Sequence, residues 1–167
     1  MPAADGRAIV AGLKRFSAQD RGEEETFNLA EVLERSVHWV VKASGSRIKV
    51  SLDLPKEIPV SGSAGQMQQV LVNLVQNAID STERQADARL DIQGEVRSRS
   101  VVLTFRDNGP GFPEESLDKA FDPFFTTKPV GKGTGLGLSI SYGIVERHRG
   151  QLKASNHPGG GAVLTLT

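Results

Sequence analysis

The sequence contains no cysteine, and its 167 residues include only one tryptophan and one tyrosine. The lack of cysteine excludes disulfides and thiolate metal sites, and it leaves the redox compartment open. No apolar run approaches the roughly 20 residues that a membrane-spanning helix needs. Residues 1–20 also lack the apolar segment of a signal peptide. These absences predict a soluble domain.

A net charge is absent as well. Lys and Arg together number 20, and Asp and Glu together number 20, so the formal net charge is zero. No overall electrostatic field therefore attracts the chain to nucleic acid or to a membrane surface. A chain of this length is expected to form one domain with a sizeable core.

The hydrophobic pattern predicts a mixture of helices and strands. Helical spacing is found over residues 7–17, 29–43, 64–84 and 135–149. Strand patterns are found over residues 48–54, 89–96, 101–107, 152–155 and 162–166. The remaining segments are predicted as a linker, a Pro- and Gly-containing connection and a long loop, at 20–25, 55–63 and 110–132. The expected architecture is a two-layer α/β sandwich, a mixed β-sheet with three main helices on one face.

The longest predicted helix has a polar face made of carboxamides and a carboxylate. Its apolar residues gather on one side, and Gln69, Asn73, Asn77 and Asp80 gather on the other. Asn73 and Asn77 lie one turn apart, and each offers a carbonyl oxygen and an amide donor. Such groups suit a hard cation and phosphate oxygens together. An isolated Asn-x-x-x-Asn is more simply a solvated polar face.

Two glycine-rich segments offer places where a backbone can approach a ligand. In Asp107-Asn-Gly-Pro-Gly, the carboxylate can accept a hydrogen bond from an exocyclic amine such as adenine N6. The alternative for this segment is a plain turn. Gly133-Thr-Gly-Leu-Gly137 directly precedes a predicted helix, so its N–H groups and the helix N-terminus favour a phosphate. The alternative there is a flexible hinge, and the pattern fits neither a Rossmann fingerprint nor a P-loop.

Aromatic residues and lysines lie in the long loop between the glycine-rich segments. The run Phe121-Asp-Pro-Phe-Phe-Thr-Thr-Lys128 suggests a loop that docks its tip onto an apolar surface. Lys128 and Lys132 could reach ligand phosphates as point charges. The alternative is a small aromatic satellite core beside a solvated lysine.

These four blocks, in this order, resemble the N, G1, F and G2 boxes of the ATP-binding domain of sensor histidine kinases. The resemblance covers about Phe27 to Thr167 and looks most like the nitrogen-regulation and dicarboxylate-sensing branch. It implies the Bergerat fold, ATP and Mg²⁺ as cofactors, and a lid over about residues 111–133. It also implies that Asn77 holds Mg²⁺, that Asn73 lies near the phosphates and that Asp107 binds adenine. Asp80 stands where other branches commonly carry a lysine, so its role stays open.

The resemblance implies a set of site residues larger than the named motifs. Catalytic roles are implied for Asn73, Asn77 and Lys128. Cofactor contacts are implied for Asn73, Asn77, Asp80, Asp107, Gly109, Gly111, Phe112, Thr127, Lys128, Lys132, Gly133, Thr134, Gly135, Leu136, Gly137 and Leu138.

The phosphate-accepting histidine of such kinases lies on a helical hairpin, in a His-Glu or His-Asp context that this chain lacks. His38, His148 and His157 are therefore expected to be structural or surface residues. Residues 1–22 are expected to be the end of a hairpin helix with a linker, and residues 23–167 the ATP-binding domain. The implied partners are the hairpin of a parent kinase and, through it, a response regulator. No contact with nucleic acid or membrane is expected of this domain, and its expected location is cytoplasmic, with a parent that could be membrane-anchored.

Two alternatives from the same superfamily remain open on the sequence, a non-kinase ATPase and a nucleotide-sensing module. Hydrolysing members usually carry a glutamate base where this chain has Asn73. Asparagine cannot act as a general base, which disfavours efficient activation of water.

Overall fold

The computed structural model describes residues 23–167, so the predicted helix at 7–17 and the assignment of residues 1–22 lie outside the described residues. The described chain contains three α-helices, α1 (Leu29–Ser44), α2 (Ala64–Ser81) and α3 (Gly137–Arg147). The strands are β1 (Glu25–Asn28), β2 (Lys49–Asp53), β3 (Pro59–Gly62), β4 (Arg89–Val96), β5 (Val101–Asp107), β6 (Leu152–Asn156) and β7 (Ala162–Leu166).

Five of the strands form one mixed sheet in the order β2-β4-β5-β7-β6, while β1 and β3 form a separate antiparallel pair. Strand β2 is parallel to β4, and every other neighbouring pair of the large sheet is antiparallel. Side chains alternate along the inner strands. Leu90 and Ile92 of β4 and Leu103 and Phe105 of β5 are buried. One face of the sheet therefore carries the core.

Helix α2 is central to the helical layer, because it packs against α1 on one side and α3 on the other. Its apolar face supplies Val70, Leu71, Leu74 and Val75, which are almost fully buried and join the sheet residues in one core cluster. Burial of each such side chain contributes roughly 1.5–3 kcal/mol. The opposite face of α2 is left free to form a site. The expected two-layer α/β sandwich is confirmed.

The first two helices begin where the sequence supplies a side-chain cap. The Asn28 side chain accepts the N–H of Ala30 at 3.1 Å, and the Ser63 hydroxyl accepts the N–H of Gln66 at 3.2 Å. Helix α1 therefore begins at Leu29, where the helical spacing predicted it. Helix α3 differs, because Leu136 at its N-cap position makes no side-chain cap hydrogen bond.

Several predicted boundaries are wrong. The connection predicted at 55–63 contains β3, and the linker predicted at 20–25 runs into β1. Helix α2 ends at Ser81 instead of residue 84, because the Thr82 hydroxyl bonds the Ala78 carbonyl at 2.7 Å and closes the last turn. Helix α3 covers 137–147 instead of 135–149. The loop predicted at 110–132 contains a 3-10 helix at Glu114–Lys119. Among residues 23–167, no helix has both the length and the apolarity needed to cross a bilayer.

Candidate nucleotide site

Asn73 joins the polar face of α2 to the start of α3. Its side-chain amide donates to the Gly137 carbonyl at 3.3 Å and to the Ser141 hydroxyl at 3.2 Å. Ser141 is fully buried, and a Cβ on Gly137 would lie 3.8 Å from the Asn73 carboxamide carbon. The N-box and G2-box segments, which are about 60 residues apart in sequence, therefore meet at this carboxamide.

Lys128 joins the loop to the same face of α2. Its ammonium donates to Asp80 Oδ2 at 2.5 Å and to Asn77 Oδ1 at 3.4 Å. The Lys128 and Asp80 side chains are each 31% exposed, so water screens this ion pair only partly. The other carboxylate oxygen of Asp80 accepts from Gln76 Nε2 at 2.8 Å, which fixes the orientation of the carboxylate.

The Asn77 carboxamide has a defined orientation, because only its oxygen can accept from the Lys128 ammonium. Its Nδ2 atom is buried and has no hydrogen-bond partner within the described chain. A buried amide without a partner is uncommon, and it is suited to a ligand atom. The side-chain oxygens of Asn77 and Asp80 both accept from the Lys128 ammonium. Carboxamide and carboxylate oxygens are also ligands that Mg²⁺ prefers. The oxygens of Asn77 and Asp80 therefore fit a divalent cation. Residues 23–167 hold no cluster of three or more His, Cys, Asp or Glu side chains that could bind a metal.

Asp107 lies at the end of β5 and is 9% exposed. Burial raises the pKa of its carboxyl, and hydrogen bonds from the N–H groups of Gly109 and Ala162 and from the Ser81 hydroxyl oppose that rise. The two N–H groups donate to the same oxygen, Oδ1, at 2.9 and 3.3 Å. Both backbone hydrogen bonds to the carboxylate therefore fall on one of its two oxygens. Gly109 lies close to α2, since a Cβ there would be 2.7 Å from the Ser81 carbonyl oxygen.

Asn156, which sequence reasoning missed, clamps the backbone just after the first glycine-rich segment. Its Oδ1 accepts the N–H of Phe112 at 2.8 Å, and its Nδ2 donates to the Phe112 carbonyl at 2.7 Å. Asn108 was missed too, and its carboxamide bonds the Arg89 N–H and the Asp87 carbonyl at 2.8 and 2.7 Å. Asn108 lies within the Asp107-Asn-Gly-Pro-Gly motif, whereas no short motif marks Asn156, and both residues bond backbone atoms of distant segments.

The loop from 113 to 136 is attached to the domain at both ends. Near its start, Ala120 is buried, and the Phe121 ring lies 5.2 Å from that of Tyr142. Near its end, the Phe124 N–H donates to the Gly135 carbonyl at 2.8 Å. Gly135 has φ +68, and a Cβ there would lie 2.3 Å from the Phe124 carbonyl carbon, so this contact requires glycine. The Phe124 side chain itself is 58% exposed.

The remaining predicted site residues lie around the start of α3 and on the rim. The Thr134 hydroxyl accepts the Leu136 N–H at 3.3 Å, and Leu136 is buried. A Cβ on Gly133 would lie 3.0 Å from Lys128 Cδ, whereas Gly111 and Leu138 are half-buried. Thr127 and Lys132 are exposed, and Lys132 lies 3.7 Å from Glu83. Neither Lys132 nor Thr127 is therefore brought to the Asn77 carboxamide.

The histidines have the surroundings of structural or surface residues, as expected. His148 links two helices, because its Nε2 accepts the Ser63 N–H at 3.1 Å and its Nδ1 lies 2.8 Å from the Ile144 carbonyl. These contacts identify the tautomer with the proton on Nδ1. His38 is exposed on α1, and His157 accepts the Gly159 N–H at 2.9 Å in the β6–β7 turn.

Comparison with protein families gives a match over residues 62–167 to the family described as histidine kinase-, DNA gyrase B-, and HSP90-like ATPase. Among curated proteins, the chain is 35% identical over 165 residues to the C4-dicarboxylate transport sensor protein DctB of Pseudomonas aeruginosa, covering 95% of this chain and 26% of that protein. It is 31% identical over 167 residues to the signal transduction histidine-protein kinase BaeS of Escherichia coli, covering 95% and 35%. The chain thus spans about a quarter to a third of these relatives.

Among solved structures, the catalytic domain of histidine kinase ThkA, in a nucleotide-free form, has a TM-score of 0.75 and 34% identity. That match covers 86% of this chain and 95% of the ThkA chain. The mycobacterial sensor histidine kinase MprB has a TM-score of 0.76 at 23% identity, with the same coverage, and supports the fold alone.

Proposed function

We propose that this chain transfers the γ-phosphoryl group of ATP to a histidine on a separate helical hairpin. The chain belongs to the histidine kinase-, DNA gyrase B- and HSP90-like ATPase family, as an ATP-binding domain of the sensor-kinase type. The observation that carries this proposal is the convergence of the four motifs. Asn73 bonds Gly137, Lys128 bonds Asn77, and Asp107 lies at the end of β5 near the C-terminus of α2.

Asp107 is the proposed adenine ligand. Both N–H groups that bond its carboxylate use Oδ1, which leaves Oδ2 to accept a hydrogen bond from the exocyclic amine. Guanine carries a carbonyl at the equivalent ring position, so a carboxylate there repels it. Gly109, Gly111 and Phe112 would contact the nucleotide through backbone and ring.

The start of α3 is the proposed phosphate site. The first N–H groups of a helix have no partner within the helix, and those of α3 receive no side-chain cap. Their positive potential favours a phosphate anion. Thr127, Lys128, Lys132 and the segment Gly133–Leu138 are the further residues proposed to contact the phosphates.

Asn77 is the proposed metal ligand, since its Oδ1 already lies beside a positive charge. A bound Mg²⁺ ion supplies neutralisation of the charge that develops on the transferring phosphoryl group. The residues of this chain bind and orient the nucleotide, and Lys128 contributes a further positive charge.

Hydrolysis is disfavoured by the chemistry of Asn73. Its amide donates to Gly137 and Ser141, and a carboxamide cannot take a proton from water. A non-kinase ATPase or a passive nucleotide sensor is thus less well supported than a kinase domain. The proposed domain covers 23–167, residues 1–22 are proposed as the hairpin end and linker, and the proposed location is cytoplasmic. The response regulator would be reached through the parent kinase.

Transfer in trans tests the proposal. The chain, incubated with labelled ATP and Mg²⁺, is expected neither to label itself nor to hydrolyse ATP appreciably. Addition of the histidine-bearing hairpin of the parent kinase is expected to give an acid-labile phosphoryl bond on that hairpin. Phe124→Ala is expected to slow transfer more than it weakens ATP binding, because the exposed ring faces outward from the loop.

Trp39→Ala provides the matched control for Phe124→Ala. Trp39 is 61% exposed on α1, far in sequence from the loop, and its removal is expected to leave transfer unchanged. Labelling of His38, His148 or His157 in the isolated chain would contradict the proposal. Rapid ATP hydrolysis without a hairpin would support the ATPase alternative instead.

A further inference from the structure

The contact of Lys128 with α2 is unlike the other ion pair between this loop and the helix end. The Lys128 ammonium lies 2.5 Å from Asp80, and both side chains are about two-thirds buried, at 31% exposure. The Lys132 ammonium lies 3.7 Å from Glu83, with exposures of 64% and 67%. Exposed pairs of the second kind contribute little, whereas burial strengthens the first. The chain therefore contains an internal control for the effect of one loop lysine.

Each member of the Lys128–Asp80 pair is also held in position by a further hydrogen bond. Gln76 holds the Asp80 carboxylate through its second oxygen at 2.8 Å. The Thr126 hydroxyl accepts the backbone N–H of Lys128 at 3.1 Å, which fixes the start of the lysine side chain. Asn77 offers a second acceptor at 3.4 Å. The ammonium thus lies between two oxygens of the proposed cation site, and it neutralises Asp80 there.

Resting on the proposed function, we propose that Asp80 is a positioning residue that holds Lys128 in the nucleotide-free domain, and that the phosphates of ATP compete with Asp80 for the Lys128 ammonium. The ammonium has three N–H donors but a single positive charge, which two anions would have to share, and a triphosphate carries more charge than one carboxylate. The free domain therefore keeps the loop fastened to α2 through Lys128. When the phosphates bind, the Lys128 ammonium leaves Asp80 and bonds the nucleotide.

The direction in which ATP affinity changes when Asp80 is neutralised separates this proposal from a role for Asp80 as a cofactor ligand. If Asp80 competes for Lys128, its neutralisation frees the lysine and removes a charge that repels phosphate, so binding of ATP becomes tighter. If Asp80 instead holds the nucleotide through a cation, its neutralisation weakens binding. Asp80→Asn is the suitable variant, because an asparagine keeps the shape and can still accept from Gln76.

The first measurement is amide hydrogen exchange in the nucleotide-free protein, followed by mass spectrometry. The reporters are the loop amides with hydrogen bonds, at Phe125, Lys128 and Lys132. Asp80→Asn and Lys128→Gln are each expected to accelerate exchange by about two- to fivefold, as for a partly screened ion pair. The double variant is expected to exchange no faster than either single one. Glu83→Gln is expected to leave exchange unchanged, and thermal unfolding verifies that each variant is folded.

The second measurement is calorimetric titration with ATP, carried out both with Mg²⁺, where the two roles of Asp80 predict opposite changes in affinity, and with EDTA, which removes the contribution of Mg²⁺. Asp80→Asn is expected to tighten ATP binding by about two- to fivefold, and Lys128→Gln to weaken it. Unchanged loop exchange in Asp80→Asn overturns the proposal, as does an ATP affinity that is unchanged or weaker. Loss of ATP binding in the parent protein and in Glu83→Gln would refute the proposed function instead, and the exchange measurement would still decide the role of Asp80.

Discussion

Replacement of Asn156 by alanine removes the clamp on the backbone of Phe112. Two hydrogen bonds are lost, at 2.8 and 2.7 Å, and a partly buried N–H and carbonyl lose their partners. At about 1 kcal/mol for each bond, the local structure is weakened by about 2 kcal/mol. That free energy corresponds to an opening equilibrium about 30-fold more favourable. Because Phe112 begins the loop over the site, ATP binding is expected to weaken by up to the same factor.

Hydrogen exchange at the Phe112 amide and calorimetric titration with ATP measure the two effects. Asn156→Asp is expected to be intermediate, because a carboxylate keeps the acceptor for the Phe112 N–H and loses the donor for its carbonyl. The matched control is Ser155→Ala, at an exposed position on the same strand. Unchanged exchange at Phe112 in Asn156→Ala would refute the reasoning, and so would equal behaviour of the alanine and aspartate variants.

Three further predictions concern other parts of the site. Burial raises the pKa of the Asp107 carboxyl above its ordinary 3.8. The folded state therefore binds this proton more tightly than the unfolded state, and the free energy of unfolding falls as the pH rises from the unfolded-state pKa through the folded-state pKa. Asp107→Asn is therefore expected to melt higher than the parent at neutral pH, with a difference that narrows toward acid pH. Asn77→Ala is expected to fold normally but to lose the enhancement of ATP binding by Mg²⁺. If calorimetric titration shows that Mg²⁺ enhances ATP binding equally in the variant and in the parent protein, Asn77 is not the metal ligand. Gly135→Ala is expected to cost about 1–3 kcal/mol locally, because of its φ of +68 and its contact with Phe124, and unchanged exchange at the Phe124 amide would contradict this.

The sequence was sufficient to predict most elements that have strong periodicity. Strands β4 and β5 lie where the strand patterns predicted them, and α1 begins at Leu29 as predicted. Strands β1 and β3 were not predicted, because each is four residues long and they pair with one another across more than 30 residues. Proline and glycine at the ends of β3 also resemble a connection more than a strand.

The motifs predicted which segments form the site but not how their side chains pair. Asn73 was expected near phosphates, and its bonds to Gly137 and Ser141 depend on how α3 packs on α2. The partner of Asp80 could not be predicted, since Lys128 reaches it only through the fold of a long loop. Asn156 was missed for a similar reason, because its role is to bond backbone atoms 44 residues away. Such pairings are tertiary, and no local pattern records them.

Calorimetric titration of the nucleotide-free domain with ATP and with GTP, in parent protein and in Asp107→Ala, tests the central claim most directly. The parent is expected to bind ATP in the micromolar range and to prefer it to GTP, through the hydrogen-bonded Asp107 carboxylate. Asp107→Ala is expected to lose about 1.5–3 kcal/mol of ATP binding, the worth of a charge-assisted hydrogen bond, and with it the preference for adenine. Unchanged ATP affinity in Asp107→Ala would contradict the claim that this buried carboxylate recognises the base.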